Sequence, residues 1–246
     1  MLSTHLPNIR VLLTRPIEQG QEWSRLLRDA GAEPVAFPTI VVGPPSSWKS
    51  LDGALRRLSG FQWMVFTSAA AAMNTLSRIS DLKSLNGVKV AAVGRHTASV
   101  LEQSGVVVDL VPPEGKHQNG QGLAQALASL SPGAKILFPQ AIGGRPELKD
   151  LLEKHGCEVE VVAASETRSI DPLPAVPPFD VVTFASPSAF HAFIQGAGFK
   201  CLESKTIVVL GETTAEAVRL LGFNPKVAKD PTGESMIHAI YSAITA

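Results

Sequence analysis

The chain carries the same ordered set of segments twice, which restricts its fold more than any other feature. Phe66-Thr67-Ser68-Ala69 closes one apolar run, and Phe184-Ala185-Ser186-Pro187-Ser188-Ala189 closes another 118 residues later. Val93-Gly94-Arg95-His96-Thr97-Ala98 is matched by Leu210-Gly211-Glu212-Thr213-Thr214-Ala215, with the glycines 117 residues apart. A third pair, Val11-Leu12-Leu13 and Ile136-Leu137-Phe138, is spaced by 125 residues and leads in each case to a Leu-Leu pair and a glycine, Gly31 or Gly156. Three pairs in one order imply two similar lobes, and two lobes imply a cleft. A chain of 246 residues suffices for two domains that each close a core.

Within each copy, short apolar runs alternate with helical patterns. The runs at 11–14, 34–37, 63–67, 89–93, 106–111, 135–138, 158–162, 181–184, 206–210 and 226–228 are apolar almost throughout rather than at every second residue. That is the pattern of parallel strands covered on both faces. Helices are expected at 18–30, 69–79, 97–104, 122–130, 145–155, 187–195, 213–221 and 233–243, several of them ending at a glycine placed to cap the last turn: Gly31, Gly105, Gly156 and Gly222. The alternation predicts α/β lobes with doubly wound parallel sheets. Two extended stretches, 38–42 and 164–170, run into proline-rich segments and read as the connections between lobes. The expected division is a discontinuous first lobe, 1–37 plus 171–246, and a second lobe, 43–163.

Composition narrows the function. Lys plus Arg and Asp plus Glu are both 22, so no global charge draws the chain to nucleic acid or anionic lipid. No apolar run approaches the ~18–20 residues of a membrane span. Residues 1–10 are polar and include Pro7, which predicts no export signal. Cys157 and Cys201 have no metal or redox spacing and suggest a reducing, cytoplasmic setting. Phosphate-loop, dinucleotide, zinc-helix and nucleophile-elbow motifs are absent, and no cofactor or metal is implied. The histidines are scattered: His155 and His191 read as surface or packing positions, His117 falls between elements, and His96 lies in a candidate ligand turn.

In an open α/β sheet the ligand sits beyond the carboxyl ends of the strands. Those ends carry Thr14, Arg15, Ser68, Thr97, Arg145, Ser186, Ser188, Thr213 and Thr214. The hydroxyls stand at helix starts, where unpaired N–H groups suit carboxylates or phosphates. Two roles are open to each: a helix cap only, or a cap that also meets a ligand. Arg15 is either a charge-assisted ligand contact or a structural ion-pair partner.

The chain resembles the uroporphyrinogen-III synthase family. The resemblance rests on Val11-Leu12-Leu13-Thr14-Arg15-Pro16, Phe66-Thr67-Ser68, Gly94 with Thr97-Ala98, Phe184 with Ser186-Pro187-Ser188-Ala189, Gly211 with Thr213-Thr214-Ala215, and Ala228-Lys229-Asp230-Pro231-Thr232, in order along the whole chain. It implies two flavodoxin-like lobes joined by a two-stranded connection, with the active site in the interdomain cleft. It implies a cofactor-independent lyase that loses water from the linear tetrapyrrole hydroxymethylbilane, inverts ring D and yields uroporphyrinogen III. It further implies a monomer whose substrate comes from hydroxymethylbilane synthase. Such a substrate carries eight carboxylates, which suits the nine residues above as substrate-binding groups. The family's usual tyrosine of the return connection, in a Tyr-x-Thr pattern, is replaced here by Ser165 in Ser165-Glu166-Thr167, which leaves the catalytic acid unassigned; Glu166 reads as solvent-facing and Tyr241 as packing. The alternative reading is a non-catalytic tetrapyrrole-binding or regulatory relative with the same two lobes; a generic receptor for small anions is a third.

Overall fold

A computed structural model describes residues 5–113 and 119–245; His117 and residues 1–4, part of the run read for an export signal, lie outside them. In chain order the elements are β1 (Arg10–Leu13), α1 (Ile17–Asp29), β2 (Glu33–Ala36), β3 (Ile40–Gly43), α2 (Lys49–Leu55), β4 (Trp63–Phe66), α3 (Ala69–Leu76), β5 (Lys89–Ala92) and α4 (Arg95–Gln103). There follow α5 (Gly120–Leu130), β6 (Lys135–Ala141), α6 (Glu147–Lys154), β7 (Glu158–Ser169), β8 (Val181–Phe184), α7 (Pro187–Ala197), β9 (Thr206–Val209), α8 (Glu212–Arg219), β10 (Lys226–Val227) and α9 (Gly233–Ile244).

The chain divides into two compact units. Unit 1 comprises Met1–Val41 and Arg168–Ala246; unit 2 is Val42–Thr167. Each holds one five-stranded sheet, ordered β10-β9-β8-β1-β2 in unit 1 and β3-β7-β6-β4-β5 in unit 2. The sequence pairs superimpose on this topology: β9-β8-β1-β2 corresponds to β5-β4-β6-β7. The units are therefore cyclic permutations of one pattern, because the β1-α1-β2 block opens unit 1 whereas its counterpart β6-α6-β7 closes unit 2. The chain passes between units at 41–42 and 167–168, inside β3 and β7, two strands that hydrogen-bond to each other.

The unbroken apolar runs follow from burial on both faces. In β4, Met64 and Phe66 enter one core cluster while Trp63 and Val65 enter the opposite one. In unit 1, Leu12 faces Phe184, Phe190 and Phe193, and Val11 and Leu13 face Trp23, Leu27 and Ile240. The glycines expected after helices take the left-handed conformation that ends an α-helix, with φ of 86° at Gly31, 83° at Gly105, 85° at Gly156 and 84° at Gly222.

Three expectations needed correction. The strand expected at 106–111 is reduced to a single bridge, Leu110 to Ala91, because the Asp109 carboxylate takes the Val90 N–H and Pro112-Pro113 end the run. Helix α2 lies in a stretch for which the sequence pattern predicts no element. Strand β7 continues to Ser169, past the expected end at 162: it pairs with β6 as far as Ser165, through an irregularity at Gln140/Ala141, and with β3 on its other edge.

Candidate functional site

Parallel strands deliver their carboxyl ends, and the helix starts that follow, to one edge of each sheet. In both units these turns are built alike. Ser68 and Ser186 hold extended backbone before α3 and α7, and their Oγ atoms accept from the N–H groups of Ala71 at 3.2 Å and Ala189 at 3.3 Å. Ser186 Oγ also lies 3.1 Å from Ser188 Oγ, on an exposed residue. Gly94 and Gly211 precede α4 and α8 with matching extended torsions and provide no side-chain cap. The first N–H groups of those two helices are left as donors that a carboxylate could satisfy.

Unit 2 opens a groove of about 940 Å³ at this edge. Its walls are Thr67 and Ser68 before α3, Asn119 to Gln121 at the start of α5, and Gln140 and Ala141 at the end of β6. Arg145 and Lys154 supply positive charge, with Glu147 and Asp150 on the same helix. The size lies within the range of small-molecule sites. Asn119 caps α5 by accepting the Gly122 N–H at 2.9 Å, and Gly144 sits so close to Gln140 Oε1 that a Cβ there would lie 2.7 Å away. The glycine lets the 143–145 turn fold tightly under Arg145.

Of the residues expected to bind substrate, the structure brings Ser68 and Arg145 together in this groove. Thr213 and Ser188 are exposed at the matching edge of unit 1. Thr14 departs from expectation: it is 0 % exposed and its hydroxyl donates to the Thr183 carbonyl at 2.7 Å, so it ties β1 to β8 and does not face a ligand. Thr97 and Thr214 are also buried, in the first turns of α4 and α8, and the Thr214 N–H already donates to the Gly211 carbonyl at 3.1 Å. Arg15 is half-buried with its guanidinium carbon 4.1 Å above the Trp23 ring. Burial holds it below the ordinary arginine range, and the Glu22 carboxylate opposes that shift. It makes no ion pair among the described residues, so the structural-partner role is not met.

Ser165 is 1 % exposed and its Oγ has no hydrogen-bond partner. A hydroxyl so enclosed is not placed to protonate a leaving group. Glu166 is not solvent-facing, as the sequence suggested; it is half-buried and accepts the Ser46 N–H at 2.8 Å. Tyr241 packs at the edge of the Trp23 core, as expected. Asn119, Gln121 and Lys154 were missed from sequence. The asparagine before Gly120 is a cap signal that would have started α5 two residues earlier. Among the described residues no cluster of three or more His, Cys, Asp or Glu could hold a metal, and no helix is long and apolar enough to cross a membrane.

The family model for uroporphyrinogen-III synthase HemD matches residues 21–238. Uroporphyrinogen-III synthase of Synechococcus elongatus is 34% identical over 172 residues, covering 67% of this chain and 62% of that protein. The chain thus spans less than two-thirds of that relative. Uroporphyrinogen-III synthase of Chlorobaculum parvum is 29% identical over 95% of this chain and 98% of its own. The crystal structure of uroporphyrinogen-III synthetase from Helicobacter pylori shares the fold at 18% identity and a TM-score of 0.64, over 95% of this chain and 99% of that one.

Proposed function

The chain belongs to the uroporphyrinogen-III synthase family, and on that premise we propose that it closes hydroxymethylbilane into uroporphyrinogen III. The observation that carries this reading is the unit 2 groove, where Arg145 and Lys154 are matched by Glu147 and Asp150 and the rest of the polar lining is neutral, at the helix starts of Ser68 and of Asn119 to Gln121. A substrate with eight carboxylates can be held by N–H groups and hydroxyls without a strongly basic protein, which fits the balanced charge. In this reading the protein is a cytoplasmic, monomeric lyase supplied by hydroxymethylbilane synthase.

The chemistry asks for little beyond placement. The terminal hydroxyl takes a proton and leaves as water, and the pyrrole nitrogen lone pair stabilises the resulting azafulvene cation. The substituted carbon of ring D then attacks that cation to give a spiro intermediate; the bond from this carbon to the ring C methylene breaks to a second azafulvene cation, and the free α carbon of ring D captures it with loss of a proton, which leaves the ring inverted and the macrocycle closed. Holding the bilane so that this carbon is the one in reach is worth far more than proton transfer. Unconstrained closure gives the symmetrical type I isomer instead. The enclosed Ser165 hydroxyl argues that the departing group is assisted from elsewhere, with ordered water the simplest donor.

The test is direct. Purified protein given freshly made hydroxymethylbilane yields mainly the type III isomer, resolved chromatographically. A product no richer in type III than the protein-free control overturns the proposal. Stabilisation by a tetrapyrrole without isomer control would favour the non-catalytic binder, the reading that the loss of tyrosine at Ser165 motivates.

A further inference from the structure

Unit 1 has a small pocket of its own, about 190 Å³, beside α1 and the ends of β1 and β2. Two cations line it, Arg15 and Arg28, together with the neutral polar side chains of Gln21 and Ser24; Leu13, Ile17 and Ala36 form its apolar walls. Gln21, Ser24 and Arg28 recur at helical spacing on one side of α1, which is why they converge there. Neither guanidinium forms an ion pair among the described residues, although other arginines nearby do: Arg25 bonds to Asp29 at 3.1 Å and Arg10 to Asp180 at 3.4 Å. Arg15 is fixed in place by the Trp23 ring, and its Nε is buried without any hydrogen-bond partner.

A buried donor left unpaired is costly, and Arg15 Nε is one. An anion entering the pocket removes that cost and meets a second cation in the exposed Arg28. The volume excludes a pyrrole chain but admits one carboxylate with its methylene stem. We propose that this pocket binds a single carboxylate-terminated arm, with Arg15 as the anchor, its planar fork donating side-on to both carboxylate oxygens, and Arg28 as the second cation. The inference rests on the tetrapyrrole reading for the identity of the arm, an acetate or propionate of the substrate, but not for the existence of the site. It assigns Gln21, Ser24 and Arg28 a role that the strand-end motifs did not suggest. Pre-stacking on Trp23 removes much of the ordering cost that a free arginine would incur on binding.

Full-length protein labelled with ¹⁵N allows the Arg15 Nε–H resonance to be followed while glutarate, a carboxylate arm without pyrroles, is added. The resonance should shift and saturate. Arg28→Gln should weaken glutarate about tenfold, the scale of one charge-assisted hydrogen bond. Arg25→Gln, one turn away on the same helix and paired with Asp29, should leave it unchanged. Absence of a saturable shift, or equal weakening by Arg25→Gln, overturns the pocket. Inorganic phosphate added in a second titration separates the two oxyanion classes, and tighter binding of phosphate than glutarate overturns the carboxylate assignment. Failure of the two readings is distinguishable. Type III product with an unresponsive Arg15 refutes this pocket alone, and a responsive Arg15 without type III product refutes the proposed reaction alone.

Discussion

Two copies of one strand pattern have been finished in opposite ways. In unit 2, the first N–H of β6, that of Lys135, donates to Gln62 Oε1 at 2.6 Å; in unit 1, the matching N–H of Arg10 at the start of β1 donates to Asp180 Oδ2 at 2.9 Å. Both start sites, both serine caps and both glycine turns are conserved between the halves. The contents of the space between α1 and α9, and between α6 and α5, are not. In unit 1, a Cβ at Gly233, the first residue of α9, would lie 2.6 Å from Leu26 and 3.1 Å from Trp23. At Gly120, the first residue of α5, it would lie 3.8 Å from Leu148. Leu148 follows Trp23 by 125 residues, the spacing of the third sequence pair. The indole and the Arg15 stacked on it therefore fill in unit 1 what remains a groove in unit 2. Duplication supplied two equivalent crevices, and side-chain size at one helix position left one of them large.

The most severe way to break this comparison is to remove the filler. Trp23→Ala should cost about 3–5 kcal/mol, the range for deleting a buried aromatic, because the indole is nearly fully enclosed and packs under Arg15 and α9. Urea unfolding measures it, and a loss under 1 kcal/mol (~) would show that the crevice collapses without its plug. The converse change makes unit 2 imitate unit 1. Leu148→Trp should fill the groove and lower kcat/KM for hydroxymethylbilane at least tenfold, about 1.4 kcal/mol of lost transition-state binding, through KM above all. Unaltered kinetics in a folded variant would move the substrate out of the groove.

These two residues show how far the sequence could be read. The repeat revealed both lobes, nearly every strand and helix, and the glycine caps, because backbone needs are local and leave local marks. It could not separate Trp23 from Leu148, since both are simply apolar positions on an amphipathic helix until their neighbours are known. Thr14 was misread for the same reason: a threonine after a strand looks like a ligand contact, and only the approach of the Thr183 carbonyl turns it into an internal tie. Arg28 was passed over because it lies a full helix away from the strand-end motif that contains Arg15. Groove-lining residues supplied by one strand-end turn, such as Ser68, were legible; those contributed by the start of α5 and the end of α6, Asn119 and Lys154, were not.

The serine caps sharpen the comparison at a smaller scale. Ser68→Ala and Ser186→Ala should each cost about 1 kcal/mol of stability, since each removes one accepted N–H from an eight- or eleven-residue helix. Their catalytic effects should differ, because Ser68 lines the large groove: its loss should raise KM more than that of Ser186 does. Equal kinetic effects would show that the filled and the open crevice contribute alike, and would undo the asymmetry argued from Trp23.

The smallest expected effect separates the halves by pH. The Arg10 backbone N–H, and next to it the Arg10 guanidinium, hold the Asp180 carboxyl below the ordinary aspartate range, with partial burial opposing them. A carboxyl whose folded value is depressed stabilises the fold fully above its unfolded value, near ~3.9, and loses that contribution as pH falls through the folded value. The pair is more than a third exposed, so screening keeps the effect to about 1 kcal/mol or less. Asp180→Asn should therefore be less stable than the parent at neutral pH, and the gap should close on acidification below about pH 4. Gln62 offers its N–H partner in unit 2 an amide that does not titrate across this range. Gln62→Ala should accordingly cost the same at every pH at which the protein stays folded. Urea unfolding of both variants and the parent at neutral and acid pH decides the matter. A pH-independent gap for Asp180→Asn would mean that the carboxylate acts there only as a hydrogen-bond acceptor, no different from the glutamine that holds the same position in the other half.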